Sequence, residues 1–158
     1  MKNENLMYYI CVCLIPLLSL QCGKKVNTEK LMIQRENSFY CIGHVDSRGY
    51  RTGYYQHYYE DGVIKKEGFY VDGLKEGSWK YYDTIGGLMY IAPFVKDTLN
   101  GSLLYFKDSR VEEIVRVESG IETGMYITFK YKDQTITSAD TFFIPTQAPA
   151  INLDMIMW

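Results

Sequence analysis

A six-residue motif recurs at a nearly constant interval, and this constrains the chain more than anything else in it. Gly77-Ser78-Trp79-Lys80-Tyr81-Tyr82 is preceded, twenty-four residues earlier, by Gly53-Tyr54-Tyr55-Gln56-His57-Tyr58. Twenty-four residues later comes Gly101-Ser102-Leu103-Leu104-Tyr105-Phe106, and twenty-three beyond that Gly124-Met125-Tyr126-Ile127-Thr128-Phe129. A period of this size marks a stack of supersecondary units, each burying its apolar side against its neighbours. Two strands and two turns fill such a unit. A helix pair would need more residues and a 3.6-residue pattern, which is absent.

The opening glycines Gly53, Gly77, Gly101 and Gly124 each begin a run rich in aromatics. A polar turn, a second extended run and a closing turn follow. Asp61-Gly62 and Asp72-Gly73 are hairpin signals, because glycine enters the left-handed region at little cost. The register extends backwards, making Glu29 to Thr52 a degenerate first unit with Leu31 in the column of Tyr55 and Trp79, and His44 in that of Gly68. Terminal repeats are expected to be atypical, since they cap the stack. Gln134 to Ser138 and Thr141 to Ile144 read as a last pair of extended segments, before Pro145 and Pro149 break the ladder. The expectation is an all-β fold: an elongated antiparallel β-meander of about five 24-residue hairpins, about ten short strands over residues 29–144. An apolar tail, 145–158, follows.

Two columns run through the repeats. Tyr55, Trp79, Leu103 and Tyr126 lie two residues after the glycine, and Tyr58, Tyr82, Phe106 and Phe129 lie five after it. These offsets have opposite parity, so a flat strand sends them to opposite faces. Either both faces are partly covered or a bulge or bend lies between the columns. The aromatic row (Tyr55, Tyr58, Trp79, Tyr82, Phe106, Tyr126, Phe129) is therefore read two ways, as rungs of a thin core or as an exposed binding ribbon. The charges of Lys65, Lys66, Glu67, Glu112 and Glu113 are expected in solvent, where they would blunt sheet edges.

The N-terminus reads differently. Leu6 to Leu20 form an uncharged, largely apolar run of 15 residues behind Lys2. As a helix it would reach roughly 22 Å, less than the ~30 Å bilayer core, which suits a signal peptide over 1–21 better than a spanning helix. Leu18-Ser19-Leu20-Gln21-Cys22 resembles a bacterial lipobox, which implies lipidation of Cys22 and residues 22–28 as a tether. Ser19 and Gln21 depart from the usual pattern. Of the four cysteines, Cys11 and Cys13 would leave with the signal and Cys22 would carry lipid, so Cys41 would remain as a thiol. The expected address is the bacterial cell envelope, with a membrane contact through the N-terminal lipid.

The run Asp72-Gly73-Leu74-Lys75-Glu76-Gly77-Ser78-Trp79-Lys80-Tyr81-Tyr82 resembles the MORN-repeat variant of many bacterial proteins, in which a glycine-x-tryptophan-x-x-tyrosine core is bounded by asparagine-glycine turns. The likeness covers about residues 29–138 and is best over 53–106. It implies one hairpin per repeat, and similarity to proteins often labelled antitoxin components of toxin–antitoxin systems. Asp97 and Ser119 interrupt the glycine pattern, and Trp79 alone keeps the tryptophan.

Chemistry is sparse. The net charge of −2 argues against nucleic acid. His44 and His57 lack a neighbouring cysteine or carboxylate motif, so no metal and no cofactor are expected. His57 reads as a variant of the column holding Tyr81, Tyr105 and Thr128. No phosphate loop precedes a helix, and no nucleophile elbow is present. The expected role is non-catalytic: an envelope-anchored module for a protein partner, with a glycan or lipid head group as other possible ligands. The alternatives are an antitoxin-like partner of a toxin, and a hydrolase or glycan-binding protein using the aromatic face.

Overall fold

The computed structural model describes residues 29–36 and 39–145. The expected signal peptide, the tether with Cys22, and the tail beyond Pro145 lie outside them. The described chain is all-β: β1 (Lys30–Glu36), β2 (Phe39–Val45), β3 (Arg51–Tyr58), β4 (Ile64–Val71), β5 (Leu74–Tyr82), β6 (Leu88–Val95), β7 (Thr98–Leu99), β8 (Gly101–Lys107), β9 (Arg110–Glu118), β10 (Ile121–Lys132) and β11 (Thr135–Phe143). All pairings are antiparallel between sequence neighbours, except that β6 pairs with β8 as well as with the two-residue β7. The result is one open meander, as the repeat spacing predicts. The expected final pair of segments is instead the single strand β11, with Gln134 in the preceding turn and a register shift in the pairing after Lys130.

Local chemistry sets the hairpin tips. At 72–73, 96–97, 108–109, 119–120 and 133–134, two consecutive residues take positive φ. Their twist matches that of the strands they join. Asp97 and Ser119 thus hold the turn geometry although they interrupt the glycine pattern, Asp97 at φ 65° and Ser119 at φ 51°. Asp46, Asp61 and Asp83 serve the longer turns differently, each accepting the backbone N–H two residues on. Successive units are also stitched together. The Gly73 N–H donates to the Arg51 carbonyl at 2.9 Å, Asp97 to Lys75 at 3.0 Å and Gly120 to Leu99 at 2.7 Å.

The opening glycine has a geometric task. Between the pairs Phe69–Glu76 and Glu67–Lys80, β4 advances two residues while β5 advances four, so Gly77 lies in a bulge at φ 71°. Nothing stands within 4 Å of a Cβ there, so conformation rather than room demands glycine. Gly53 (φ 73°) and Gly124 (φ 82°) sit in equivalent jumps, and Gly101 is at φ 130°. Beyond the bulge the strand keeps its parity. Offsets two and four share one face, here called inner, and offset five points to the other, outer face. Both faces are partly covered.

The core lies on the inner face of this single sheet. Tyr55, Trp79, Tyr81, Leu103, Val115, Val117 and Cys41 are fully buried. Large and small residues alternate across the central rung: Tyr55 opposite Gly68, Trp79 opposite Ala92, Leu103 opposite Val115. The Tyr55 ring lies across Gly43 and the Trp79 ring across Gly68, where an added Cβ would come within 2.4 Å of each ring. Each ring then reaches the next carbonyl of the strand it crosses. Tyr55 Oη donates to His44 O at 2.7 Å, and Trp79 Nε1 to Phe69 O at 3.1 Å. A thin sheet thereby buries large rings by laying them flat over glycine.

Two expectations for the first unit shift by one residue. Gly43, not His44, is the counterpart of Gly68, and Met32, paired with Gly43, joins the rung in place of the exposed Leu31. The cause is the β2–β3 connection. It places residues 46–50 between paired Val45 and Arg51, whereas only Asp72 and Gly73 separate paired Val71 and Leu74.

Candidate functional site

A groove of about 490 Å³ opens on the inner face over β2 to β5. Its walls carry Arg51, Lys65, Lys66 and Lys75, with Asp97 as the one carboxylate among the described residues, and His57 and Tyr70 line it as well. Each cation lies against an aromatic face. Lys65 Nζ is 3.7 Å from the Phe39 ring centroid, and Lys66 Nζ is 6.0 Å from that of Tyr81. Arg51 Cζ is 5.8 Å from Tyr55 and 5.5 Å from Tyr70. Lys75 Nζ stands 5.5 Å from Trp79 and 4.9 Å from Phe94. The aliphatic stems help to seal the rings from water while the charged heads remain in the groove. Lys65 and Lys66 therefore do not serve as solvated edge charges. They lie half-buried in an interior strand, on its ring-bearing face.

The groove's far end is fixed by a reciprocal backbone link. Lys75 N–H donates to Asp97 Oδ1 at 2.7 Å, and Asp97 N–H donates to Lys75 O at 3.0 Å. His57 occupies the aromatic column, as its alignment suggests. It is buried between Cys41 and Lys66, with its ring 6.3 Å from Tyr55 and 6.2 Å from Trp79. Burial pushes the Tyr55 hydroxyl up to about 12, against the opposing pull of Arg51. Cys41 is buried as a thiol. Among the described residues, no cluster of three His, Cys, Asp or Glu side chains has metal-ligand geometry.

The offset-five tyrosines belong to a different constellation, on the outer face. Its centre is Glu67, whose side chain is mostly buried. Tyr54 Oη donates to Oε2, Tyr82 Oη to Oε1 at 2.7 Å, and Gln56 Nε2 to Oε2 at 3.2 Å, while Lys80 Nζ stands 3.7 Å from Oε1. Tyr58 joins through Gln56 Oε1 at 2.8 Å and stacks on Tyr40. Burial alone would raise the Glu67 carboxyl, but the three hydrogen bonds and Lys80 together carry it below its ordinary value of 4.5. Tyr82 is pushed up to about 12, first by burial and then by its bond to Glu67.

The aromatic row is thus split. Tyr55 and Trp79 lie under the groove floor, and Tyr58 and Tyr82 are tied to Glu67 on the opposite side. In the C-terminal half Tyr126 stacks on Phe142 at 5.4 Å and hydrogen-bonds Glu122. Phe129 borders a small recess of about 110 Å³ beside Tyr131 and Arg110, and Phe106 pairs with Val111. Glu112 is exposed, whereas Glu113 is half-buried, its carboxyl raised first by desolvation and then by Glu112 and Glu122.

Sequence reasoning passed over Arg51, Lys75 and Tyr70. The second strand of each unit did carry a signal. Gly68, Ala92 and Val115 recur at 24 and 23 residues, as do Tyr70, Phe94 and Val117. The first set is the small half of the central rung and the second flanks it. Compared with known proteins, the chain matches no family model and no curated protein.

Proposed function

We propose that the chain is a non-catalytic interaction module, exported and held at the bacterial cell envelope by lipid on Cys22, that presents the inner-face groove to a partner protein. The observation that supports this is the groove itself: a half-open cleft in a continuous antiparallel sheet, with cations braced on buried rings. Such side chains are preorganised for contact, and lose less freedom on binding than a mobile surface would. His57 is packed into the wall between two aromatic rings, which suits a structural role better than a proton shuttle. The repeat plan, with its likeness to the MORN variant, supports the same reading, since stacked units build extended surfaces.

Two measurements test the proposal. Metabolic labelling with a fatty-acid analogue should mark the wild-type chain and not Cys22→Ala; equal labelling of both would remove the anchor. Photo-crosslinkers at Lys65 in the groove and at Phe69 on the outer face should give a discrete protein adduct in intact cells. Absence of an adduct at both positions would overturn the module reading.

A further inference from the structure

The placement of the cations narrows the partner's chemistry. Although the chain is net acidic at −2, the described residues of the groove walls bring together four cations and one carboxylate. These cations form two poles. Lys65 and Lys66 stand at one end, against Phe39 and Tyr81. Arg51 and Lys75 stand at the other, against Tyr70 and Phe94. Lys66 and Tyr70 lie on one strand four residues apart, and Lys75 is the cross-strand partner of Tyr70. At ~3.3 Å per residue the poles are about 13 Å apart along the strands.

Resting on the interaction-module reading, we propose that the groove binds an extended acidic peptide segment whose carboxylates are spaced about four residues apart. An extended peptide advances by the same ~3.3 Å per residue, so two acidic side chains four positions apart match the two poles. The intervening residues run from His57, beside Lys66, past Trp79 over Gly68 to Tyr70, beside Lys75. A single phosphate fits less well, because it needs donors converging on one point. A membrane surface fits less well, because the charges line a concavity. Stacking by neutral sugar rings meets faces already covered by Arg51, Lys65, Lys66 and Lys75. β2 to β5 have neighbours on both sides, so recognition here runs through side chains rather than strand addition.

The test is fluorescence anisotropy of the full chain in detergent with labelled decapeptides. These carry two glutamates spaced two, four or six residues apart around an apolar centre, and each has a glutamine control. The four-residue spacing should bind tightest, and binding should weaken as salt rises. Lys66→Gln with Lys75→Gln should lower affinity about tenfold, at up to about fivefold per ion pair, in protein that still unfolds cooperatively. Lys75→Arg should retain binding, which separates lost charge from lost packing. Equal binding of the glutamine peptides, indifference to spacing, or loss in Lys75→Arg as deep as in Lys75→Gln would overturn the inference. So would preferential uptake of a polyuronate, of inorganic phosphate, or of vesicles containing anionic phospholipid. A cellular adduct from Phe69 with a silent groove would sink the acidic-peptide assignment and leave the module reading standing on the outer face.

Discussion

The two halves of the sheet share a hairpin plan and differ in what fills it. From β3 to β6, Tyr55 and Trp79 are fully buried, each lying over a glycine with a cation above the ring. From β8 onward the same rung holds Leu103 and Val115, then the half-buried Tyr126, and in β11 every residue except Ser138 is exposed. Turns and bulges specify the backbone in both halves. Burial of the large rings depends on the ring–glycine pairs, which among the described residues lie in the first half. The groove sits over that half, where the rings that support it are held most firmly.

The comparison would break most visibly at its largest side chain. Trp79→Ala removes a fully buried ring and leaves a void across Gly68, and should cost ~3–5 kcal/mol of stability. Tyr126→Ala, at the matching position of the other half, should cost clearly less because its ring is already partly in water. Chemical denaturation of both variants checks this, and equal losses would show that the halves share one packing regime.

A sharper version tests the glycine itself. Gly68→Ala brings a methyl into the Trp79 ring, with an expected loss of ~1–3 kcal/mol. Combining it with Trp79→Leu recreates the Ala92–Leu103 combination of the next unit. The double variant should then be more stable than the two single losses added together. Additivity in that cycle would mean that ring and glycine are not a coupled pair.

Much of this was legible beforehand, and the residues show why. Period and turn chemistry are local, so the meander and the glycines at 53, 77, 101 and 124 could be read directly from spacing. Parity left two readings open, and the structure sends Trp79 and Tyr82 to opposite faces, with a register shift between Tyr81 and Tyr82 as well. The ring–glycine pairs were not legible, because Trp79 meets Gly68 across a bulge that changes which residues stand opposite. The same difficulty moved Gly43 into the place given to His44. The cations were misread for a related reason: lysine in an alternating strand looks solvated, and only the packed sheet reveals the ring beneath Lys65. The outer-face network depended on Glu67 collecting tyrosines from two other strands, which no spacing within one strand encodes.

That network gives the comparison a pH handle. The Glu67 carboxyl lies below its ordinary 4.5 in the folded chain, so its ionised form favours folding. Its contribution is fully present above about pH 4.5 and is lost as pH falls through the lowered folded value. Glu67→Gln should flatten the acid limb of the stability curve, while substitutions in β9 to β11 should leave that limb's dependence on Glu67 intact. An unchanged acid limb in Glu67→Gln would show that the convergence on this carboxylate adds nothing net. Tyr82 works in the opposite sense. Its pKa is raised to about 12, so its contribution holds below pH 10 and erodes as pH climbs toward that value.

The smallest expected effects separate turn strain from packing. Ser109 at φ 62° and Gln134 at φ 75° occupy the second positions of tight turns in the C-terminal half, where Gly73 fills the matching position of the N-terminal half. A left-handed conformation costs a non-glycine residue roughly 1–2 kcal/mol, and glycine is freer in the unfolded chain as well, so Ser109→Gly and Gln134→Gly should each stabilise by about 0.5–1 kcal/mol. Asp97→Gly should not gain in the same way, although Asp97 has φ 65°, because its carboxylate accepts the Lys75 N–H at 2.7 Å. Thermal melts of the three variants distinguish the cases. Gains at 109 and 134 without one at 97 would place the C-terminal deficit partly in its turns. No gain at either site would assign the whole difference between the halves to the missing ring–glycine pairs.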